Sequence, residues 1–277
     1  MTDLERLDFY WFSGTGNTLL VARALADLFA DEGWDVRLQP MTDTDPTSVQ
    51  PEGWVGLAFP VACQTTYPLV WRFCERLAPG QGTPIFMVDT MAGYSGAVVG
   101  PLRGVVLKRG YTPIGAREII MPSNLYPIRV SEERNQRLRE RGQEQARAYA
   151  RDLLAGRAHW GHIHILPDLF RAIMGSRPMW HWIARTDGLL RVDQERCTRC
   201  GLCAALCPVA NIRLAPWPEY QRRCEQCMRC LSYCPEKALG LWGLPRVPYR
   251  AVPADALLPS PRKAGEPCPG DGEQKVA

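Results

Sequence analysis

The chain has 277 residues, 46% of them hydrophobic and 22% charged, with 33 Lys and Arg against 29 Asp and Glu. That balance suits one large globular domain or two modest ones and excludes a chain disordered throughout. No run approaches the roughly 20 apolar residues of a membrane helix, and the opening Met-Thr-Asp-Leu-Glu lacks the apolar centre of a signal peptide, so the expected location is cytoplasmic. Residues 1–150 carry 15 basic and 17 acidic side chains, and residues 151–277 carry 18 and 12. The change of sign points to two domains. The cations are scattered along the chain, too diffuse for a nucleic-acid stripe, so no nucleic-acid partner is expected.

Leu7–Phe12 reads as a first strand, dense in aromatics. Ser13-Gly14-Thr15-Gly16-Asn17-Thr18 follows at once, and Leu19, Leu20, Ala22, Leu25, Leu28 and Phe29 then recur at helical spacing to about Gly33. A Gly-rich loop between strand and helix aims backbone N–H groups and the helix dipole at an anion. The triphosphate loop needs a Gly-Lys-Ser/Thr ending, and the dinucleotide loop needs a third glycine where this chain has Leu19. A loop of hydroxyls and amides without a cation suits a phosphate monoester, and a generic strand-to-helix turn is the alternative.

The next elements alternate. Strands are expected at Val36–Gln39, Trp54–Val61, Pro84–Asp89 and Gly115–Met121, and helices at Leu69–Leu77, Ala97–Arg109 and Glu132–Leu154. Five strands alternating with helices make a doubly wound parallel sheet over residues 1–155. Ligands of such sheets lie beyond the carboxyl ends of the strands at the switch point. The loops there are Ser13–Thr18, Pro60–Pro68 and Thr90–Gly96, which bring Thr90, Gly93, Tyr67 and Tyr94 forward as candidates. Residues 156–188 hold His159, Trp160, His162, His164, Phe170, Trp180, His181 and Trp182 and read as an aromatic-rich connector rather than a metal site.

Eight of the eleven cysteines fall between residues 197 and 234. Cys197-x2-Cys200-x2-Cys203-x3-Cys207-Pro208 is repeated 27 residues later as Cys224-x2-Cys227-x2-Cys230-x3-Cys234-Pro235, an internal duplication. Clustered thiols in a chain without an export signal indicate metal rather than disulfides. Two residues between thiolates let a tight loop wrap three corners of a small cube, and in such runs the fourth cysteine ligates the other cluster. The expected sets are Cys197, Cys200, Cys203 and Cys234 on one 4Fe–4S cluster, and Cys224, Cys227, Cys230 and Cys207 on the other. Structural zinc, the alternative, usually takes two separated cysteine pairs. Met228 and Arg229 stand where the first half has Gly201 and Leu202, which puts a charge beside one cluster. From Tyr249 onward the chain turns to Pro, Ala, Gly and charge, and residues 249–277 are expected to be a disordered tail containing Cys268.

The cysteine runs resemble bacterial two-cluster ferredoxins over about residues 190–242. Ser13-Gly14-Thr15-Gly16-Asn17-Thr18 resembles the FMN phosphate loop of flavodoxins. With Phe59-Pro60-Val61, Thr90-x2-Gly93-x2-Gly96-Ala97, Met121-Pro122-Ser123-Asn124 and Cys224-Glu225-Gln226-Cys227, the whole resembles the family in which a flavodoxin-like domain is fused to a two-cluster ferredoxin domain. The resemblance implies an FMN phosphate held by Ser13, Gly14, Thr15, Gly16, Asn17 and Thr18, with Thr90, Gly93 and Tyr94 near the ring. It implies a ferredoxin domain over residues 189–248.

FMN and two clusters in one chain would convert between two-electron and one-electron carriers. The expected function is electron transfer between redox partner proteins. Two alternatives stand beside it: an FMN oxidoreductase acting on a small substrate, and a ferredoxin whose flavodoxin-like domain no longer binds flavin. No general acid, base or nucleophile stands out.

Overall fold

The computed structural model describes residues 5–93, 98–124, 130–161, 179, 190–241 and 248–258. In chain order the N-terminal elements are β1 (Arg6–Trp11), α1 (Asn17–Asp31), β2 (Asp35–Pro40), β3 (Trp54–Ala62), β4 (Thr65–Thr66), α2 (Pro68–Arg76), β5 (Pro84–Met91), α3 (Val99–Lys108), β6 (Thr112–Ile120) and α4 (Glu132–Leu154). The parallel strands run in the order β2–β1–β3–β5–β6, and the short β4 hairpins back on β3. Counting parallel strands alone this is 2-1-3-4-5, the flavodoxin-like double winding. The strand order reverses between β1 and β3, paired from Leu7↔Trp54 to Trp11↔Ala58.

The strands are apolar on both faces because helices cover both. Leu7, Phe9 and Trp11 pack on the side of α1 and α4, whereas Tyr10 and Phe12 pack on the side of α2 and α3. Each fully buried Phe contributes about 1.5–3 kcal/mol, so this alternation fixes the register of the sheet. Helix α4 starts at Ser131, whose Oγ accepts from the Arg134 N–H at 3.3 Å, with Glu132 and Glu133 on the positive end of the dipole. The last strand begins at Thr112, three residues before the expected Gly115, because an edge strand tolerates Pro113. The expected helix start at Ala97 lies outside the described residues.

The beginning of the connector packs on this domain. The Ala116 N–H donates to the His159 carbonyl at 3.2 Å. Trp160 is buried and donates from Nε1 to the Val99 carbonyl at 2.8 Å. His162, His164, Phe170, Trp180, His181 and Trp182 lie outside the described residues.

The cysteine-rich part is small: β7 (Leu190–Val192), α5 (Leu202–Ala205), β8 (Ile212–Leu214), β9 (Pro218–Tyr220), α6 (Arg229–Tyr233) and β10 (Leu239–Leu241). β7 pairs antiparallel with β10, and β8 with β9. The duplication in sequence is also a duplication in backbone. Left-handed residues recur 27 positions apart as Arg199 and Gln226, Gly201 and Met228, and Ala210 and Lys237.

The expectation of a disordered tail from residue 249 is corrected for residues 249–258. Val252 and Leu257 are 6% and 3% exposed, and Ala254–Leu257 forms a 3-10 turn. Proline was the misleading signal: Pro253 opens that turn, and the two apolar side chains beside it anchor the segment. Residues 259–277 lie outside the described residues.

Candidate functional site

Two cavities hold the eight cysteines. One is lined by Cys197, Cys200, Cys203 and Cys234, and the other by Cys207, Cys224, Cys227 and Cys230. In each, three thiols come from one tight run and the fourth crosses over from the other half of the repeat. Among the described residues no group of three or more His, Cys, Asp or Glu is placed to hold a single metal ion. Thiols spread around a cavity suit a cluster, which binds each thiolate through a different iron.

The backbone is arranged for thiolate sulfur. The Asn211 N–H donates to Cys207 Sγ at 3.1 Å, and its repeat mate Ala238 N–H donates to Cys234 Sγ at 3.2 Å. The Gln226 N–H donates to Cys224 Sγ at 3.3 Å. Burial raises the pKa of the Cys203 thiol to about 11 and of the Cys227 thiol to about 12, and lifts Cys230 well above the ordinary thiol value. Iron held by these thiols would displace those protons, so its affinity would rise with pH. The two cavities differ in setting: Cys200 is exposed, whereas the second cavity is lined by the buried side chains of Glu225, Arg229 and Leu231.

The Ser13–Thr18 loop leaves β1 at the switch point. Its turn depends on Gly16, which holds φ +104° at the start of α1. The Gly16 N–H donates to Ser13 Oγ at 3.0 Å, Asn17 Nδ2 donates to the Pro122 carbonyl at 2.8 Å, and the hydroxyls of Thr18 and Thr90 share a hydrogen bond at 2.7 Å. Thus Met121-Pro122-Ser123-Asn124 lies against the loop. Among the described residues nothing lies within 4 Å of a Cβ placed on Gly93. Tyr94 lies outside the described residues. Tyr67 is 4% exposed, with its ring edge-on to Phe12 at 5.3 Å, so its faces are packed into the core.

The residue types for an FMN phosphate are present, and protein covers the loop. Ser13, Thr15 and Thr18 are 1–2% exposed. Arg229 Nε donates to the Ser13 carbonyl at 2.9 Å, and the Ala251 N–H donates to the Thr15 carbonyl at 2.8 Å. The Tyr233 hydroxyl reaches the Thr15 and Val252 carbonyls at 3.2 and 2.9 Å, and the Tyr249 hydroxyl donates to Asn17 Oδ1 at 2.6 Å. A single methyl on Gly14 would lie 2.5 Å from the Cys227 carbonyl, and one on Gly16 would lie 2.8 Å from the Val252 nitrogen. As folded, the loop's carbonyls and the Cβ sides of its two glycines seat the cysteine-rich domain and residues 249–258.

Several residues of this junction had no role assigned from the sequence. Glu225 accepts from the Leu69 N–H at 3.0 Å and from Arg72 Nη2 at 2.8 Å, and so caps α2 from the other domain. Tyr233, Tyr249 and Val252 close the loop. The signal for two of them was in the repeat: Glu225 and Tyr233, like Arg229, depart from their mates 27 residues earlier, Thr198, Leu206 and Leu202 respectively. Each departure meets the N-terminal domain.

Residues 190–213 match the 4Fe-4S binding domain family. The comparison with curated proteins gives no match. Among solved structures, a flavodoxin of Streptococcus pneumoniae TIGR4 is 19% identical over 54% of this chain and 98% of its own, with a TM-score of 0.42. Megasphaera elsdenii flavodoxin is 23% identical over 50% of this chain and 98% of its own, with a TM-score of 0.38. Rubredoxin oxygen:oxidoreductase of Desulfovibrio gigas is 19% identical over 56% of this chain and 37% of its own, with a TM-score of 0.40. The fold assignment rests on the strand order rather than on these likenesses. The chain joins a flavodoxin-like α/β domain to a ferredoxin-type 4Fe-4S domain.

Proposed function

We propose that the chain is a one-electron carrier with two 4Fe–4S clusters, one held by Cys197, Cys200, Cys203 and Cys234, the other by Cys207, Cys224, Cys227 and Cys230. The observation that supports this most is the pair of cavities, each lined by four cysteines in a crossed set. Each cluster, when bound, supplies reversible one-electron chemistry at a potential set by its protein surroundings. The chain's own groups hold the sulfurs. N–H donors from Asn211, Gln226 and Ala238 fix the charge of Cys207, Cys224 and Cys234. Glu225, Arg229 and Tyr233 seat the second half of the repeat on the N-terminal domain. The first set meets solvent at Cys200, the side where a redox partner protein can approach.

In this reading the carrier works without FMN, and the packing of Cys227, Ala251 and Val252 on the Ser13–Thr18 loop supports it. The small-substrate oxidoreductase depends on that same flavin and is not supported by the closed loop. Among the described residues no helix is long and apolar enough to cross a membrane.

Anaerobically prepared chain tests the proposal. Iron near eight atoms per chain, an equal amount of acid-labile sulfide and no releasable flavin are expected. Stoichiometric zinc without sulfide would overturn it.

A further inference from the structure

Arg229 occupies an unusual place. It is 3% exposed and lines the cavity of Cys207, Cys224, Cys227 and Cys230. Its hydrogen-bond acceptors are neutral: the Ser13 carbonyl at 2.9 Å, the Leu206 carbonyl at 3.3 Å and the Leu257 carbonyl at 3.4 Å. Its guanidinium lies 5.1 Å from the Phe12 ring centroid. Among the described residues it makes no ion pair, and the groups whose charge acts on it are Cys227, Tyr233, Cys207 and Asp43.

A buried cation without a counter-ion is costly, because carbonyl dipoles replace only part of its hydration. A 4Fe–4S cluster on four thiolates carries net negative charge in either oxidation state, and the charge grows by one on reduction. Placed in this cavity it is the missing counter-ion. The matching position beside the first cavity is Leu202, uncharged; the charged residues lining that cavity are Arg199 and Glu236, and the carboxylate in the second, Glu225, is paired with Arg72. The two halves of the repeat therefore offer their clusters different electrostatic surroundings within one chain.

We infer that Arg229 is the charge that sets the two clusters apart: it holds the cluster of Cys207, Cys224, Cys227 and Cys230 at the higher reduction potential, and it ties that cluster's charge to the Ser13 end of the N-terminal domain. This rests on the two-cluster reading above. Arg229 is a positioning and tuning residue, since it ligates nothing. Removing its charge disfavours the extra electron on that cluster and leaves the other unchanged.

The test is a redox titration followed by electron paramagnetic resonance on the full holo chain, with sodium dithionite as the reductant. In Arg229→Gln the higher midpoint should fall by 59 mV or more, a tenfold loss in the reduced-to-oxidised ratio at fixed potential. The lower midpoint should not move. Arg229→Lys keeps the charge and should stay within about threefold of the parent ratio. Leu202→Arg, which adds the charge on the other side, should raise the lower midpoint. Equal falls in Arg229→Gln and Arg229→Lys would mean that contacts rather than charge set the potential, and would overturn the inference. So would an unmoved higher midpoint in Arg229→Gln. If Arg229→Gln fails to assemble, an unmoved lower midpoint in Leu202→Arg overturns it alone. A parent chain with fewer than two clusters would instead defeat the two-cluster reading.

Discussion

The Tyr249 hydroxyl donates to Asn17 Oδ1 at 2.6 Å, joining residues 232 apart across the mouth of the N-terminal loop. Asn17 is a residue that the loop motif assigns to a flavin phosphate, and here its amide nitrogen and its oxygen are both engaged by protein. The full holo chain should bind FMN more weakly than about 1 mM, equivalent to −4.1 kcal/mol. Flavin fluorescence during titration measures this. Tyr249→Phe removes one hydrogen bond, about 0.5–1.5 kcal/mol, and should leave FMN binding still weak because Cys227 and Val252 remain in place. Stoichiometric binding by the parent chain would show that the loop opens.

The junction is intolerant at Gly14. A Cβ there would approach the Cys227 carbonyl to 2.5 Å, and backbone on both sides cannot easily yield. Gly14→Ala should destabilise the chain by roughly 1–3 kcal/mol through overpacking. Gly93→Ala, with no described residue within 4 Å, is the matched control and should be near neutral. Thermal unfolding of the holo chain compares them directly.

Glu225 and Arg72 join the domains at 2.8 Å, with side chains 8% and 57% exposed. Burial raises the Glu225 pKa, and Arg72 and the Leu69 N–H oppose that rise. Solvent screens the Arg72 end, so Arg72→Ala should cost only about 1 kcal/mol. Glu225→Ala also strips the cap from α2 and should cost about 1.5–3 kcal/mol. A double-mutant cycle by denaturant unfolding should show non-additivity, since both changes remove the same contact.

Asp89 is fully buried in β5, and neither carboxylate oxygen has a partner among the described residues. Desolvation, then the nearby Glu118, pushes its pKa well above the ordinary value of 3.8. The folded chain therefore holds this proton more tightly than the unfolded chain. Its contribution is fully present below pH about 4 and is lost as pH rises toward the folded pKa. Asp89→Asn removes that term. Denaturant melts at pH 5 and pH 8 should show a smaller loss of stability between the two for the variant than for the parent. An equal loss would mean that Asp89 is ionised in the fold.

Most of the fold was legible because each element carried its own local signal. Strand β1 announced itself through the aromatic run Phe9, Tyr10, Trp11 and Phe12, and α4 through the long stretch from Glu132 to Leu154. The cysteine sets were legible because a four-residue spacing rule carries the geometry of the site. The fate of Ser13–Thr18 was not. A motif records which atoms a loop offers, whereas the residues that cover it here lie more than 200 positions away. Tyr233, Ala251 and Val252 carry no local mark of that contact. Val252 and Leu257 were hidden among prolines that resemble a disordered tail by composition. The departures of Glu225, Arg229 and Tyr233 from their repeat mates were the one trace of the junction in sequence. They become readable only once the two halves of the repeat are asked which of them faces the other domain.

The crossed pairing is tested most directly by two single variants, Cys207→Ser and Cys234→Ser, in anaerobically prepared holo chain. Electron paramagnetic resonance with iron analysis should show Cys207→Ser damaging the cluster served by Cys224, Cys227 and Cys230, and Cys234→Ser damaging the one served by Cys197, Cys200 and Cys203. Each variant should retain the other cluster's signal. If Cys207→Ser instead abolishes the signal of the Cys197, Cys200 and Cys203 cluster and spares the second, each run closes its own cluster and the crossed account is contradicted.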